Sequence, residues 1–254
     1  MSLFDLTGRT ALVTGSSRGI GYALAQGLLE AGARLVLHGR NQDVAETSAT
    51  RLRELTGGDV SVETFDVTDA AAIDAGLDRI EARWGTPDVL VNNAGTQRRS
   101  AFTTFAKQDW DDLIATNLTS AFLVGQRVAR GMVQRGRGKI VNIGSVQSRL
   151  ARPNITPYSA TKGGVVMLTQ GMCADLGPHG IQANALAPGY FATELTQPLV
   201  DDVEFSAWVA QRTPAGRWGR VHELVGALVF LSSSASDFVN GQTIYVDGGM
   251  TAVV

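Results

Sequence analysis

Tyr158 and Lys162 stand four residues apart in the run Tyr-Ser-Ala-Thr-Lys. On a helix that spacing puts both side chains on one face. A free phenol titrates near pH ~10 and is a poor base at neutral pH. A neighbouring ammonium favours the phenolate, which can take a proton from an alcohol or, once reprotonated, return one to a ketone. Ser145 lies 13 residues earlier, just past the run Lys139-Ile-Val-Asn-Ile143. There its hydroxyl is placed to bond a substrate oxygen and steady the charge that develops on it. A Tyr/Lys pair at helical spacing is by itself ordinary surface chemistry, so its context must carry the reading.

That context begins near the N-terminus. Thr10-Ala-Leu-Val-Thr14 reads as a strand, Ile20 to Ala31 as a helix, and between them stands Gly15-Ser16-Ser17-Arg18-Gly19-Ile20-Gly21. Gly15 permits a tight turn, Gly19 a close approach of backbone to pyrophosphate, and Gly21 close packing of the helix on the strand. The helix N-terminus, from Ser17 and Arg18 through Ile20, offers free N–H groups and a positive dipole end to an anion. A glycine triplet in the first strand–helix unit is the setting in which a dinucleotide is expected. The positive charge of an oxidised nicotinamide would further favour the Tyr158 phenolate. An NAD site needs an acid about 20 residues on, at the end of the second strand. This chain has His38-Gly39-Arg40-Asn41 there. Arg18 and Arg40 could instead grip a 2′-phosphate, so NADP(H) is expected in preference to NAD(H). The plainer alternative is two solvated arginines.

Around these residues a short β-branched run repeatedly gives way to an Ala/Leu-rich segment. Arg34–His38, Val60–Phe65, Asp88–Val91, Lys139–Ile143, Ile181–Leu186 and Thr243–Val246 read as further strands. Gln42–Leu55 and Ala70–Trp84 read as helices. The strands are nearly continuous apolar runs, which suits burial on both faces of a parallel sheet. The pattern predicts one α/β domain over residues 1–254, a Rossmann-like doubly wound sheet of about seven parallel strands with helices on both faces. Ligands bind such sheets beyond the carboxyl ends of the strands, at the topological switch point.

Composition excludes several classes. The chain has 254 residues, 44% apolar and 18% charged, a globular balance. With 22 basic and 24 acidic residues and a net charge of −2, it has no electrostatic footprint for nucleic acid or an anionic membrane. A single cysteine, Cys173, rules out an internal disulfide framework and reads as a packed residue. His38, His179 and His222 lack metal-ligand spacing, so no metal is expected. No run approaches the ~18 apolar residues of a membrane span, and Met1 to Thr10 has no apolar signal core. A cytoplasmic protein is expected.

Together the motifs resemble a short-chain dehydrogenase/reductase over almost the whole chain. The residues concerned are Thr14-Gly-Ser-Ser-Arg-Gly-Ile-Gly21, Asn92-Asn-Ala-Gly95, Asn117, Ser145, Tyr158, Lys162 and Pro188-Gly189. The resemblance implies Tyr158 as acid/base and Ser145 as substrate-orienting. Lys162 would hold the nicotinamide ribose and lower the Tyr158 pKa, and Asn117 would support a water in a proton relay ending at Lys162. It implies that Asp66 and Val67 contact adenine and that Asn92, Asn93, Ala94 and Gly95 wall the cofactor. Pro188, Gly189 and Thr193 would meet the nicotinamide end. It also implies a homotetramer built on long helices over 118–134 and 158–176.

The loops beyond the strand ends carry the substrate signal. They are Thr96-Gln97-Arg98-Arg99, Val146-Gln147-Ser148-Arg149-Leu150-Ala151-Arg152 and Tyr190-Phe191-Ala192-Thr193-Glu194. Their arginines, amides and hydroxyls suit a small polyhydroxy acid, since an arginine grips a carboxylate through two parallel hydrogen bonds. Arg98, Arg99, Gln147, Arg152 and Tyr190 join Ser145 and Tyr158 as candidate substrate contacts. Residues 92–99, 155–158, 187–194, 212–219 and 235–241 are similar to the gluconate 5-dehydrogenase branch of the family. That likeness implies interconversion of D-gluconate and 5-keto-D-gluconate, with Arg98 or Arg99, and Arg152, on the carboxylate. Two alternatives stay open: a 3-oxoacyl-thioester reductase, whose acidic carrier protein could also use the arginines, and a non-catalytic NADP sensor. A segment rich in Phe, Trp and Val, within about 190–218, is read as a substrate lid or, equally, as core or subunit contact.

Overall fold

The computed structural model describes residues 3–194 and 196–254. Its elements in chain order begin with β1 (Thr10–Val13), α1 (Gly19–Glu30), β2 (Arg34–Gly39), α2 (Gln42–Thr56), β3 (Val60–Thr64), α3 (Ala70–Trp84) and β4 (Val89–Asn92). There follow α4 (Lys107–Ile114), α5 (Ser120–Arg135), β5 (Gly138–Ile143), α6 (Thr156–Leu176), β6 (Ile181–Pro188) and β7 (Phe191–Ala192). The chain closes through α7 (Gln197–Val200), α8 (Val203–Arg212), β8 (Gly219–Arg220), α9 (Val225–Ser232) and β9 (Thr243–Val246).

The sequence sets the helix boundaries locally. The Asn41 side chain accepts the Val44 N–H at 3.0 Å and starts α2, and Gly57 ends it at φ +66°. Asp69 accepts the Ala71 and Ala72 N–H groups and starts α3. Each cap satisfies groups the helix leaves unpaired.

Seven strands form one parallel sheet in the order β3-β2-β1-β4-β5-β6-β9, and β7 pairs with β8 apart from it. From β1 the chain winds outward to β3, then returns to the other side at β4, so the switch point lies between β1 and β4. Alternate strand residues feed two cores. Ala11, Val13, Leu35, Leu37, Val89 and Val91 pack with Leu24 and Leu28 of α1 and Leu228 of α9. Leu12, Val36 and Leu90 pack on the opposite face with Leu77 of α3, and Val128 and Met132 of α5. The period of two follows from side chains alternating across the pleat, and each fully buried Leu contributes roughly 1.5–3 kcal/mol.

The expected α/β sheet is observed, with its strand boundaries displaced by a residue or two. The helix expected over 118–134 is the correction. It starts as α4 at Lys107, passes through a π-helical turn at Ala115–Thr119 and continues as α5. The run Lys-Gln-Asp-Trp-Asp-Asp hides the first turns, because its polar surface carries little apolar periodicity. Among the described residues no helix is long and apolar enough to cross a membrane.

Candidate active site

The glycine loop lies beyond β1, at the switch point. Gly15 sits at φ +63° and Gly19 at φ +59°, a region that favours glycine. A Cβ on Gly21 would come within 2.4 Å of both the Asn93 amide nitrogen and the Gly15 carbonyl, so only glycine lets α1 start this close to the strand ends. The loop is stapled to β4. The Asn93 amide donates to the carbonyls of Thr14 and Gly15 at 2.9 and 3.0 Å, and the Thr14 hydroxyl accepts the Asn93 and Ala94 N–H groups at 3.0 Å. Arg18 precedes α1 without capping it, so the first turn presents N–H groups with no intrahelical partner. Arg18 and Arg40 are both exposed, and among the described residues neither forms an ion pair. This is a cradle for a phosphate-bearing ligand, with two exposed guanidinium groups beside it, that of Arg40 near enough to Asp66 to help lower its pKa.

Asp66 follows β3. Its carboxylate accepts the Thr68 N–H at 2.8 Å, and hydrogen bonds from Thr68 hold its pKa below the ordinary value. Val67 is buried beside it. At the far side Pro188 ends β6. Gly189 donates its N–H to the Val246 carbonyl at 3.0 Å, and a Cβ there would meet the Asp247 backbone at 2.7 Å. Thr193 turns back on Thr196 through mutual hydrogen bonds.

Ser145 begins a short turn after β5 and accepts the Gln147 N–H at 3.1 Å. Ser148, which motif spacing did not single out, fixes that turn. Its hydroxyl accepts the Ser145 N–H at 3.2 Å and donates to the Lys162 carbonyl at 2.8 Å, tying the turn to α6. Tyr158 and Lys162 lie on α6 with the amine 5.8 Å from the phenol ring centre. Burial raises the Tyr158 pKa, the Ser145 hydroxyl pulls it down and Tyr190 raises it further. Lys162 is itself buried, which brings its pKa down to about 8, and its amine donates to the Ile143 carbonyl at 2.6 Å.

Asn117 sits in the π-helical turn, a distortion that recurs at functional sites. Its Oδ1 accepts the Thr96 N–H at 2.7 Å, and its amide donates to the Thr96 carbonyl at 2.9 Å and to Thr161 at 3.2 Å. Both side-chain amide hydrogens are thus engaged by protein groups. Asn117 also packs on the open face of Gly95, where a Cβ would lie 3.3 Å from its Oδ1.

The candidate substrate residues divide. Arg98 turns away and pairs with Asp109 of α4 at 3.5 Å. Arg99 and Arg152 face one another closely enough that Arg152, after burial, lowers the Arg99 pKa. Among the described residues neither has a carboxylate partner. Tyr190 lies between them and Tyr158. Burial raises its pKa, and both guanidiniums oppose that rise. The Gln147 Oε1, Arg152 Nε and Tyr190 hydroxyl are buried without a well-formed hydrogen bond, which is costly unless a ligand supplies one. Beyond them the 190–218 segment packs its aromatics. Phe205, Trp208 and Trp218 meet Tyr190 edge-on at 5.6–5.7 Å, and the Arg152 guanidinium lies 5.4 Å over Phe205.

Comparison with known proteins agrees with this geometry. A family model described as enoyl-(acyl carrier protein) reductase matches residues 15–251. The gluconate 5-dehydrogenase of Gluconobacter oxydans (strain 621H) is 58% identical over 249 residues, 98% of this chain and 97% of that protein. The 5-keto-D-gluconate 5-reductase of Escherichia coli (strain K12) is 52% identical over 252 residues, 99% of each. The crystal structure of a gluconate 5-dehydrogenase from Burkholderia cenocepacia J2315, in complex with NADP and tartrate, has a TM-score of 0.96 and 58% identity. It spans 99% of this chain and 98% of that one. Likeness of this extent, over the same sheet and the same glycine loop, assigns the chain to a family of oxidoreductases: it belongs to the short-chain dehydrogenases/reductases.

Proposed function

We propose that the protein is an NADP-dependent oxidoreductase that interconverts D-gluconate and 5-keto-D-gluconate. The observation that carries the substrate class is the pair Arg99 and Arg152, an exposed and a half-buried guanidinium near enough to influence one another and with no acidic partner among the described residues. Like charges held together are unfavourable unless an anion joins them, and a carboxylate suits their planar donors. The Gln147 carbonyl oxygen and the Tyr190 hydroxyl supply further polar contacts for a hydroxylated chain. The names of the relatives at 58% and 52% identity support the same choice.

The cofactor reading rests on fit. The glycine loop and the first turn of α1 suit a pyrophosphate, and Arg18 and Arg40 suit a 2′-phosphate where the second strand ends without an acid. The NADP in the Burkholderia structure supports it. Asp66 and Val67 would border the adenine, Asn93 to Gly95 the cofactor wall, and Pro188, Gly189 and Thr193 the nicotinamide end.

In reduction, bound NADPH supplies the hydride that the carbonyl carbon receives. Tyr158, protonated because burial disfavours its anion, gives its proton to the ketone oxygen and is reprotonated from solvent. Ser145 donates a hydrogen bond to the same oxygen. Lys162 holds the turn after β5 through the Ile143 carbonyl and presents a positive charge near the phenol. Oxidation runs the same proton path in reverse. The helices of the 190–218 segment act as the lid, and α5 and α6 build a homotetramer in the cytoplasm.

D-Gluconate and D-glucitol differ at C1, a carboxylate against a hydroxymethyl group. With NADP+ as oxidant, kcat/KM should favour gluconate by about a hundredfold, because a site built for a charged group loses about 1.5–3 kcal/mol when it is missing. Equal rates on both would remove the carboxylate from the account.

A further inference from the structure

His38 is buried at the end of β2 and takes no part in the chemistry above. Its imidazole crosses between three cofactor-facing segments. Nδ1 lies 3.1 Å from the Gly15 N–H, the first donor of the phosphate loop. Nε2 lies 3.1 Å from the Phe65 carbonyl, next to Asp66. A carbonyl can only accept, so Nε2 carries the hydrogen and Nδ1 offers its lone pair to Gly15. The ring also packs on Phe65 with centroids 4.1 Å apart. Its main chain is clamped to the same loop, since Ser16 donates its N–H to the His38 carbonyl and its hydroxyl accepts the His38 N–H, each at 2.9 Å. Arg40 follows two residues later.

We infer that His38, in its neutral Nε2–H form, is a positioning residue for the dinucleotide. It aims the Gly15 turn, and with it the N–H groups that follow, at the pyrophosphate. Gly15 sits at a positive φ that its neighbours must hold. Without an acceptor its half-buried N–H loses its partner, and the turn gains by rotating toward water. The imidazole also fixes the distance between that turn and the Asp66 corner, the two ends of the adenosine half of the cradle. This inference rests on the dinucleotide reading proposed above.

Two substitutions separate the acceptor from the bulk of the ring. His38→Asn keeps an oxygen close to the place of Nδ1 but loses the bond to Phe65 and the stacked ring. His38→Leu fills the space and has no acceptor. Both lose the bond to Phe65 and the stacked ring, and Leu fills the space better than Asn, so tighter NADPH binding by His38→Asn than by His38→Leu can come only from the acceptor kept for Gly15. Fluorescence titration with NADPH should give a dissociation constant raised about tenfold or more in His38→Leu and within about threefold of wild type in His38→Asn. At saturating NADPH, kcat should change less than about twofold in either. Equal affinities in the two variants, whether both tight or both weak, would overturn the inference. Failure of the wild type to bind NADPH would instead overturn the cofactor reading. Should His38→Leu not fold, the wild type still decides. A ¹⁵N-histidine spectrum at neutral pH should show a bare Nδ1 and a protonated Nε2, and the opposite tautomer contradicts the assignment.

Discussion

A half-buried phenol beside a serine is a proton donor before it is a base, because desolvation disfavours the charged form more than one hydroxyl can restore it. Two predictions follow at the residue scale. Tyr158→Phe keeps the ring and removes the proton, so kcat should fall by about a thousandfold while NADPH binding stays within about threefold of wild type. Steady-state rates and a fluorescence titration check both halves. The second prediction concerns pH. With its pKa raised, Tyr158 is protonated at neutral pH and ready for reduction, whereas oxidation needs the minor phenolate, which grows as pH rises. Oxidative kcat should therefore climb between about pH 7 and 9 while reductive kcat does not climb. A flat oxidative profile would contradict the raised phenol. Ser145, Tyr158 and Lys162 were legible because their spacing is itself the signal. Ser148 and His38 were not, because a lone serine and a lone histidine acquire their partners, Lys162 and Gly15, only when distant segments meet. Arg98 and Arg99 are adjacent and alike in sequence. Only the placement of Asp109 on α4 draws one of them away.

Among the elements, the glycine loop has the least freedom. Gly21→Ala would set a methyl against the Gly15 carbonyl and the Asn93 amide at 2.4 Å, and both belong to the staple between β1 and β4. The expected result is a loss of about 1–3 kcal/mol in unfolding stability, with NADPH affinity weakened by at least about tenfold. Thermal unfolding with and without NADPH measures the two separately. The strands and most helices were readable because burial on both faces writes apolar runs and the caps are local. The start of α4 was not, since Lys-Gln-Asp-Trp-Asp-Asp looks like a loop until Leu113 is seen to pack. The π-helical turn at Asn117 leaves no compositional mark at all. It is stabilised by the contacts of one side chain with Thr96 and Thr161.

For the molecule as a whole, the order of the strands is a property of long-range pairing. The alternation of strands and helices implied a doubly wound sheet, but β9 reaching the edge beside β6 is decided by pairs such as Leu186 with Ile244. Lys139 at the start of β5 shows how such distant parts are joined. Its amine is buried and meets the Asp237 carboxylate at 2.7 Å, just ahead of β9. Asp237→Asn takes away the negative charge and leaves that ammonium only neutral acceptors, the amide oxygen and the Ser236 hydroxyl. Because Asp237 is itself well exposed, solvent screens part of the loss, and about 1–2 kcal/mol is expected. In a chain this size that lowers Tm by about 2–8 °C, with catalytic constants unchanged at room temperature.

One assay tests cofactor and substrate together. Purified protein is mixed with NADPH or NADH and with 5-keto-D-gluconate or an acetoacetyl thioester, and the reduced cofactor is followed by absorbance. Rapid oxidation of NADPH by 5-keto-D-gluconate, with NADH and the thioester both slower by at least about tenfold, is the predicted result. Turnover of the thioester alone would contradict it and would assign Arg99 and Arg152 to a surface that docks an acidic carrier protein.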